Sequence, residues 1–245
     1  MGNQNFYRGH TGPSIMTAAN FSPEIRHYLR SEIVCCTSTL LASDYRVLVE
    51  FGCSDMRLQP CADAAGLSYL GVDLRSEVGL SNRHFLAAHE HVRNSRFIGV
   101  DAERLVHRLS AYKRLSGPFG RAPGRALVFL PFNFLGNLRQ PCKLIQSIFL
   151  LGHDLVVSQF ATTPTARKVR AAYYSACGLN VELCIADFGD VYTDEWSFSS
   201  TSFRSKWINE TIKGLAGYRM LFSELRSCDL FSIVLIQAKL DVSEF

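Results

Sequence analysis

Two hydrophobic rhythms divide the chain. Beyond residue 22 apolar side chains recur at helical spacing: Ile25, Tyr28, Leu29, Ile33, Cys36, Leu40 and Leu41. Ser22-Pro23-Glu24 opens this helix with a capping serine, a proline at the first helical position and an acid in the first turn. From Arg46 the rhythm becomes short apolar runs separated by helical stretches. Strands are predicted over 47–49, 69–73, 96–101, 126–130 and 154–159, with helices over 55–65, 81–92, 142–151 and 164–177 between or after them, and another marked by Leu105, Val106, Leu109 and Tyr112. Gly66, Gly152 and Gly178 stand where three of these helices stop, and Pro60 interrupts one of them. The tail reads differently, with strands over 181–185, 191–203 and 230–240 and a helix near 209–215. Five strands joined by helical crossovers, then a strand-rich end, predict an α/β fold: a mostly parallel sheet with an antiparallel C-terminal edge.

Composition narrows this little. A chain of 245 residues with 47% apolar and 20% charged residues suits one large globular domain with a full core. A net charge of +4 is too mild to require nucleic acid. Its densest basic cluster, Lys113, Arg114, Arg121 and Arg125, surrounds a Gly/Pro-rich loop and reads first as a solvated surface. No apolar run reaches the length of a membrane span and no signal pattern opens the chain, so a cytoplasmic protein is expected. The eight cysteines are scattered, without a C-x-x-C pair, and read as small buried side chains in a reducing compartment; no metal is expected.

The chemistry gathers at strand ends. The first strand runs into Glu50-Phe-Gly52-Cys53, the second ends Gly71-Val-Asp73, and the third ends Gly99-Val-Asp101-Ala102. A glycine turn after a parallel strand turns backbone N–H groups toward the sheet's carboxyl edge, and an acid at the next strand's tip can accept from a ribose diol. Any one of these acids suits an ordinary solvent-facing strand end; three in succession at βα spacing point to a nucleoside. Gly52 is followed by Cys-Ser-Asp-Met-Arg, without the further glycines of a dinucleotide fingerprint and without a P-loop lysine. A ligand lacking phosphates fits that edge better.

In these residues the chain resembles the class I S-adenosylmethionine-dependent methyltransferases, from about Arg46 to the C-terminus. Val47-Leu-Val-Glu50-Phe-Gly52-Cys53 is similar to their first motif, Gly71-Val-Asp73-Leu74 to the second, Gly99-Val-Asp101-Ala102 to the third, and Phe129-Leu-Pro131-Phe132-Asn133 to the fourth. Ser54 and Met56 depart from it, standing where further glycines are usual. The resemblance implies a Rossmann-like three-layer sandwich, with residues 1–43 as an arm and helix suited to a lid and 44–245 as the cofactor-binding domain. It implies S-adenosylmethionine as cofactor, with S-adenosylhomocysteine as product, held by Glu50, Gly52, Cys53, Ser54, Asp73, Leu74, Asp101, Ala102, Pro131 and Phe132. The loop from Phe129 to Asn137, with its Gly136-Asn137 pair, is a little like that of the amino-acid N-methyltransferases related to histidine betaine synthesis. It is unlike the loop of enzymes that methylate nucleobase amino groups.

Methyl transfer from a sulfonium is an in-line displacement, so the protein has mainly to align the partners and exclude water, and no catalytic triad is called for. The acceptor is expected to be a small molecule methylated at O or N. Asn133 is the candidate catalytic, acceptor-positioning residue; Asn137, Tyr7, His10 and Tyr192 are candidates for binding the acceptor, with Asp194, Glu195 and Trp196 close by in sequence. A self-capping loop, a mobile arm and a surface hairpin are the plainer readings of these residues. His84, His89 and His91 read as a polar helix face rather than a metal site. The alternatives are a non-catalytic methyltransferase-like module that binds a protein, and an RNA methyltransferase using the 114–125 loop.

Overall fold

The structure is a computed structural model and describes residues 16–74, 95–109, 125–195, 198–213 and 218–240. The parallel strands are β1 (Val47–Phe51), β2 (Ser68–Asp73), β3 (Ser95–Gly99), β4 (Ala126–Leu130) and β5 (Asp154–Phe160). They pair in the order β3-β2-β1-β4-β5. Beside β5 the direction reverses: β10 (Phe231–Leu240) pairs antiparallel to it, and β9 (Tyr218–Ser227) closes that edge. Three further strands, β6 (Glu182–Ala186), β7 (Gly189–Thr193) and β8 (Ser199–Phe203), form a separate antiparallel sheet. The α/β class with its antiparallel edge is as expected.

Alternation along the buried strands makes the three layers, because successive side chains in a strand leave by opposite faces. Leu48, Leu127, Phe129 and Val156 point to one core. There they meet α1 (Pro23–Leu41), α2 (Gln59–Ala64) and α5 (Pro164–Ala176). Val49, Val128, Leu130, Leu155 and Val157 point to the other core. On that side lie α3 (Ala102–Leu109), α4 (Pro141–Leu150) and α6 (Ser205–Lys213). The first helix is integral to its layer. Tyr28 is fully buried and stacks on Phe231 of β10, with ring centroids 4.5 Å apart and 4° between planes.

Several elements differ from the sequence reading. The inward face of α1 is turned: Ile33 and Leu41 are exposed, while Ser31, Glu32, Cys35 and Thr39 point in. A polar side chain took an inward position because it has buried partners, described below. Helix α2 begins only at Gln59, since the residues before it follow a left-handed turn. The run read as one strand over 191–203 is two, β7 and β8, and the small sheet they form with β6 leaves the main sheet. The helix expected near 209–215 spans Ser205–Lys213, and the edge strand β9 was not foreseen. Five of the eight cysteines are buried, Cys142 is half-buried, Cys184 and Cys228 are exposed, and all are free.

Truncating Tyr28 to alanine removes a whole ring from between helix and sheet. It should lower stability by about 3–5 kcal/mol, read as a fall in the denaturant midpoint at unchanged slope in an unfolding titration.

Candidate functional site

The turn after β1 keeps a glycine-like path without the glycines. Gly52, Ser54 and Met56 have φ of 69°, 44° and 56°. For a side-chain-bearing residue the left-handed region costs about 1–2 kcal/mol, so something must hold it. The Gly52 and Cys53 N–H groups both donate to the Val72 carbonyl of β2, at 2.7 and 3.4 Å. The Ser54 N–H donates to Asp73 Oδ2 at 2.7 Å, the Met56 N–H to the Cys53 carbonyl at 2.7 Å, and the Met56 side chain is buried. Gly52 is needed for space as well: a Cβ there would lie 2.1 Å from the ring of Phe134, which covers it.

The three strand-end acids are differently placed. Asp73 is half-buried at the tip of β2, where its carboxylate accepts from the Ser54 and Leu74 N–H groups, each at 2.7 Å. Burial raises its carboxyl above the ordinary value, and those two backbone bonds pull it back. A carboxylate offers about four acceptor sites, so Asp73 retains capacity for a diol. Asp101 is buried just beyond β3 and accepts from the Glu103 N–H at 2.9 Å, capping α3 at Ala102. Glu50 lies deeper, fully inside. Its Oε2 accepts from the Tyr69 hydroxyl at 2.6 Å and the Leu58 N–H at 3.2 Å.

Behind Glu50 stands a second buried carboxylate that sequence reasoning missed. Glu32 of α1 pairs with Arg57 at 2.6 Å and takes the Phe132 N–H on its other oxygen, also at 2.6 Å. Burial opposes the charged form of Arg57, and Glu32 and Glu50 more than offset it. Two buried carboxylates beside one guanidinium favour one retained proton. Burial pushes the Glu50 carboxyl up to about 8, against the opposing pull of Arg57, Tyr69 and the Leu58 N–H.

Beyond β4 the chain turns through Pro131 into Phe132 and Asn133, at φ of 41° and 61°. A bulky residue in that region is strained by about 1–3 kcal/mol and persists only where its surroundings fix it. Glu32 holds the Phe132 N–H, and the Ser158 carbonyl of β5 takes the Asn133 N–H at 2.9 Å. The Asn133 amide is engaged at both ends. Its Nδ2 donates to Ser200 Oγ and the Thr201 carbonyl, at 3.1 and 3.0 Å, and its Oδ1 accepts from Ser202 Oγ and the Phe160 N–H, at 3.0 and 3.3 Å. Asn133 thus pins β4, β5 and β8 together. A 3-10 turn over Phe134–Asn137 follows, and Gly136 lies so close to β8 that a Cβ would fall 1.7 Å from the Thr201 carbonyl oxygen. Asn137 Oδ1 accepts from Ser200 Oγ at 2.5 Å.

Next to this turn lies a small cavity of about 20 Å³. The rings of Phe132, Phe160, Tyr173, Tyr174 and Phe198 line it, with Asn133, Asn137 and Ser200 as its polar wall. About 10–15 Å³ of such space admits one water, so one or two small groups fit and a whole ligand does not. A wider depression of about 270 Å³ lies on the small sheet among Asn180, Glu182, Thr193, Asp194 and Glu195, apart from the strand-end acids.

Tyr192 is buried against this region. Its hydroxyl donates to the Arg167 carbonyl at 3.3 Å, and burial pushes it up to about 12. Tyr7, His10, Trp196, the His84, His89 and His91 cluster and most of the basic loop lie outside the described residues. Arg125, the end of that loop, pairs with Asp154 at 2.6 Å where β5 begins. Among the described residues no group of three or more metal-ligating side chains occurs, and no helix is long and apolar enough to cross a membrane. The structure brings together the turn 52–56, Asp73, Asp101 and the Pro131–Asn137 segment at the carboxyl edge of β1 to β4. It leaves the side chains of Glu50 and Asn133 occupied by protein partners.

No protein-family model matches the chain, and no curated protein matches it. Solved structures do. An O-methyltransferase family protein from Burkholderia thailandensis aligns over 86% of this chain at 12% identity with a TM-score of 0.54; the chain spans 56% of its length. The CcbJ methyltransferase from Streptomyces caelestis aligns over 91% of this chain and 100% of its own, at 14% identity and a TM-score of 0.56. The Burkholderia thailandensis 1,6-didemethyltoxoflavin-N1-methyltransferase, solved with its substrate and S-adenosylhomocysteine, aligns over 90% of this chain and 92% of its own, at 14% identity and a TM-score of 0.53. The chain shares the fold of these solved methyltransferases.

Glu50 gives the site a pH signature. Folded, it keeps its proton up to about 8; unfolded, it releases it near the ordinary value of 4.5. Between those values the folded state binds more protons, so stability contributed by this group falls as pH rises and levels off above 8. From about pH 5.5 to 7.5 the loss approaches about 2 kcal/mol. Glu50→Gln, which cannot ionise, should flatten that part of the pH–stability curve in urea titrations; an unchanged slope would assign it to other groups.

Proposed function

We propose that the protein is a methyltransferase that binds S-adenosylmethionine at the carboxyl edge of β1, β2 and β3 and methylates an O or N atom of a small-molecule acceptor. One observation carries this reading: the left-handed turn of Gly52, Ser54 and Met56 stands directly beside Asp73, whose carboxylate is anchored by that turn and has acceptor sites to spare. The residues present fit the cofactor. Asp73 would take the ribose hydroxyls, the Cys53–Ser54 backbone would flank the amino-acid end, and Asp101 with the Ala102 N–H would meet the adenine. Pro131 and Phe132 would bound the methyl side. When bound, the cofactor supplies an already activated methyl group.

What the chain adds is alignment and dryness. Phe132, Phe160, Tyr174 and Phe198 enclose an apolar space next to the strand ends, and the fixed turn at Phe132–Asn133 sets the distance between that space and the cofactor edge. In this reading Asn133 acts by shaping the pocket, since its amide is committed to β5 and β8; Asn137, whose Oδ1 takes the Ser200 hydroxyl, stands on the cavity wall toward the acceptor. Small-molecule acceptors are supported by the N1-methyltransferase of like fold, whose substrate is 1,6-didemethyltoxoflavin. Cytoplasmic residence is part of the proposal.

A second reading has its own observation. The Phe134 ring lies against Gly52, where a cofactor would approach, which favours a methyltransferase-like module that binds no cofactor. Calorimetric titration separates the two. The wild-type protein should bind S-adenosylhomocysteine with a dissociation constant of about micromolar order, and Asp73→Ala should weaken it by about 10–100-fold. Folded wild-type protein that binds neither S-adenosylmethionine nor S-adenosylhomocysteine would establish the non-catalytic reading.

A further inference from the structure

Arg170 of α5 is 1% exposed, yet among the described residues no carboxylate lies within ion-pair distance of it. The nearby Asp190 is taken by Arg167, at 2.7 and 2.9 Å on its two oxygens. Arg170 is held instead by neutral groups. Its Nε donates to the Tyr174 hydroxyl at 3.0 Å, one Nη to Ser202 Oγ and the other to Ser200 Oγ at 2.9 Å. Its guanidinium stands over the ring of Tyr192 at 4.3 Å, and over those of Phe160 and Tyr174 at 5.3 Å each. A guanidinium has five N–H donors and stays charged at any physiological pH. Three are satisfied here, which leaves one on each Nη.

Burying a charge without a counter-ion is costly, and aromatic faces and hydroxyls repay it only in part. An anionic ligand group would supply the missing charge. The cavity beside it is where a ligand group can enter, because Tyr174 and Ser200, both bonded to Arg170, line it. Each transmits the charge differently. Ser200 Oγ receives Arg170 Nη and Asn133 Nδ2 and passes its own proton to Asn137 Oδ1. The Tyr174 hydroxyl receives Arg170 Nε, so its proton is left to donate, and no described residue takes it. The cavity wall thus offers one charge-assisted donor, the Tyr174 hydroxyl, among aromatic rings, in a space that fits one or two atoms the size of a carboxylate oxygen.

We infer that this cavity holds the carboxylate of the methyl acceptor, so that the acceptor is a small acid with an aromatic or planar body, bound through Tyr174 and the Arg170 charge. The inference rests on the function proposed above. It specifies which end of the acceptor lies deepest: the carboxylate enters among the rings, and the atom to be methylated points back toward the edge of β1 and β4.

Benzoate tests it, with benzamide as the neutral molecule of the same shape, each titrated calorimetrically into the protein alone and into protein saturated with S-adenosylhomocysteine. Benzoate should bind about 10-fold or more tighter than benzamide. Arg170→Gln and, separately, Tyr174→Phe should each abolish that preference while leaving the affinity for S-adenosylhomocysteine unchanged. The second variant keeps every ring in place and guards against a folding defect in the first. Equal binding of the two probes, or no benzoate binding, would overturn the carboxylate assignment even where S-adenosylhomocysteine binds. A benzoate preference that depends on Arg170 in protein that does not bind S-adenosylhomocysteine would keep the carboxylate site and discard the cofactor.

Discussion

One buried carboxylate ties together the two turns at the carboxyl edge of the sheet. Glu32, on the first helix, gives one oxygen to Arg57 in the turn after β1 and the other to the Phe132 N–H in the turn after β4. The two turns that frame the sheet's carboxyl edge are therefore tied to each other through a helix that belongs to neither. Both contain side-chain-bearing residues in left-handed conformations, a strain that needs independent fixing at each end. Because Glu32 is wholly enclosed, its bonds are not diluted by water, and losing Arg57 would leave an unpaired buried charge, a strongly destabilising outcome in such a setting. Stability and site geometry rest here on the same atoms.

The fold was legible because hydrophobic period and turn chemistry agreed along most of the chain. Strands β1, β4 and β5 announce themselves as continuous apolar runs, as strands buried on both faces do, and Gly66, Gly152 and Gly178 stand at φ of 67°, 75° and 76°, just past the helices they end. Glu32 was illegible for a definite reason. A helix face is read from apolar residues, and an inward glutamate scores against burial unless its partners, 25 and 100 residues away, are already known. The same long-range dependence hid Arg170, which in sequence is one of several basic residues of a helix and proves to be caged by rings from β5, β7 and its own helix. β9 escaped because its residues 221–227 are largely exposed and mixed in character, as suits an edge strand.

The strand-end acids were read from spacing alone, and the structure separates them by depth. Asp73 is half-buried and anchors the turn after β1, Asp101 caps a helix, and Glu50 is fully buried and bonded to Tyr69. Spacing cannot report depth, since all three follow an apolar strand. Ser54 and Met56 carry a complementary lesson. They look like departures from a glycine-rich turn, yet their backbone takes the glycine path. A comparison of letters registers two mismatches where a comparison of shapes registers none, which agrees with a chain that no family model matches and that solved methyltransferase structures align with over most of its length.

The four residues from Phe134 to Asn137 have a mechanical consequence. At one end the Phe134 ring rests on Gly52, in the turn after β1; at the other, Gly136 presses on the Thr201 carbonyl and Asn137 is bonded to Ser200 on the cavity wall. A 3-10 turn rises about 2 Å per residue, so the path between the two contacts is short. The turn after β1 and the wall of the aromatic cavity are thus joined by four residues of chain, held at their start by the Asn133 amide, so they share one support.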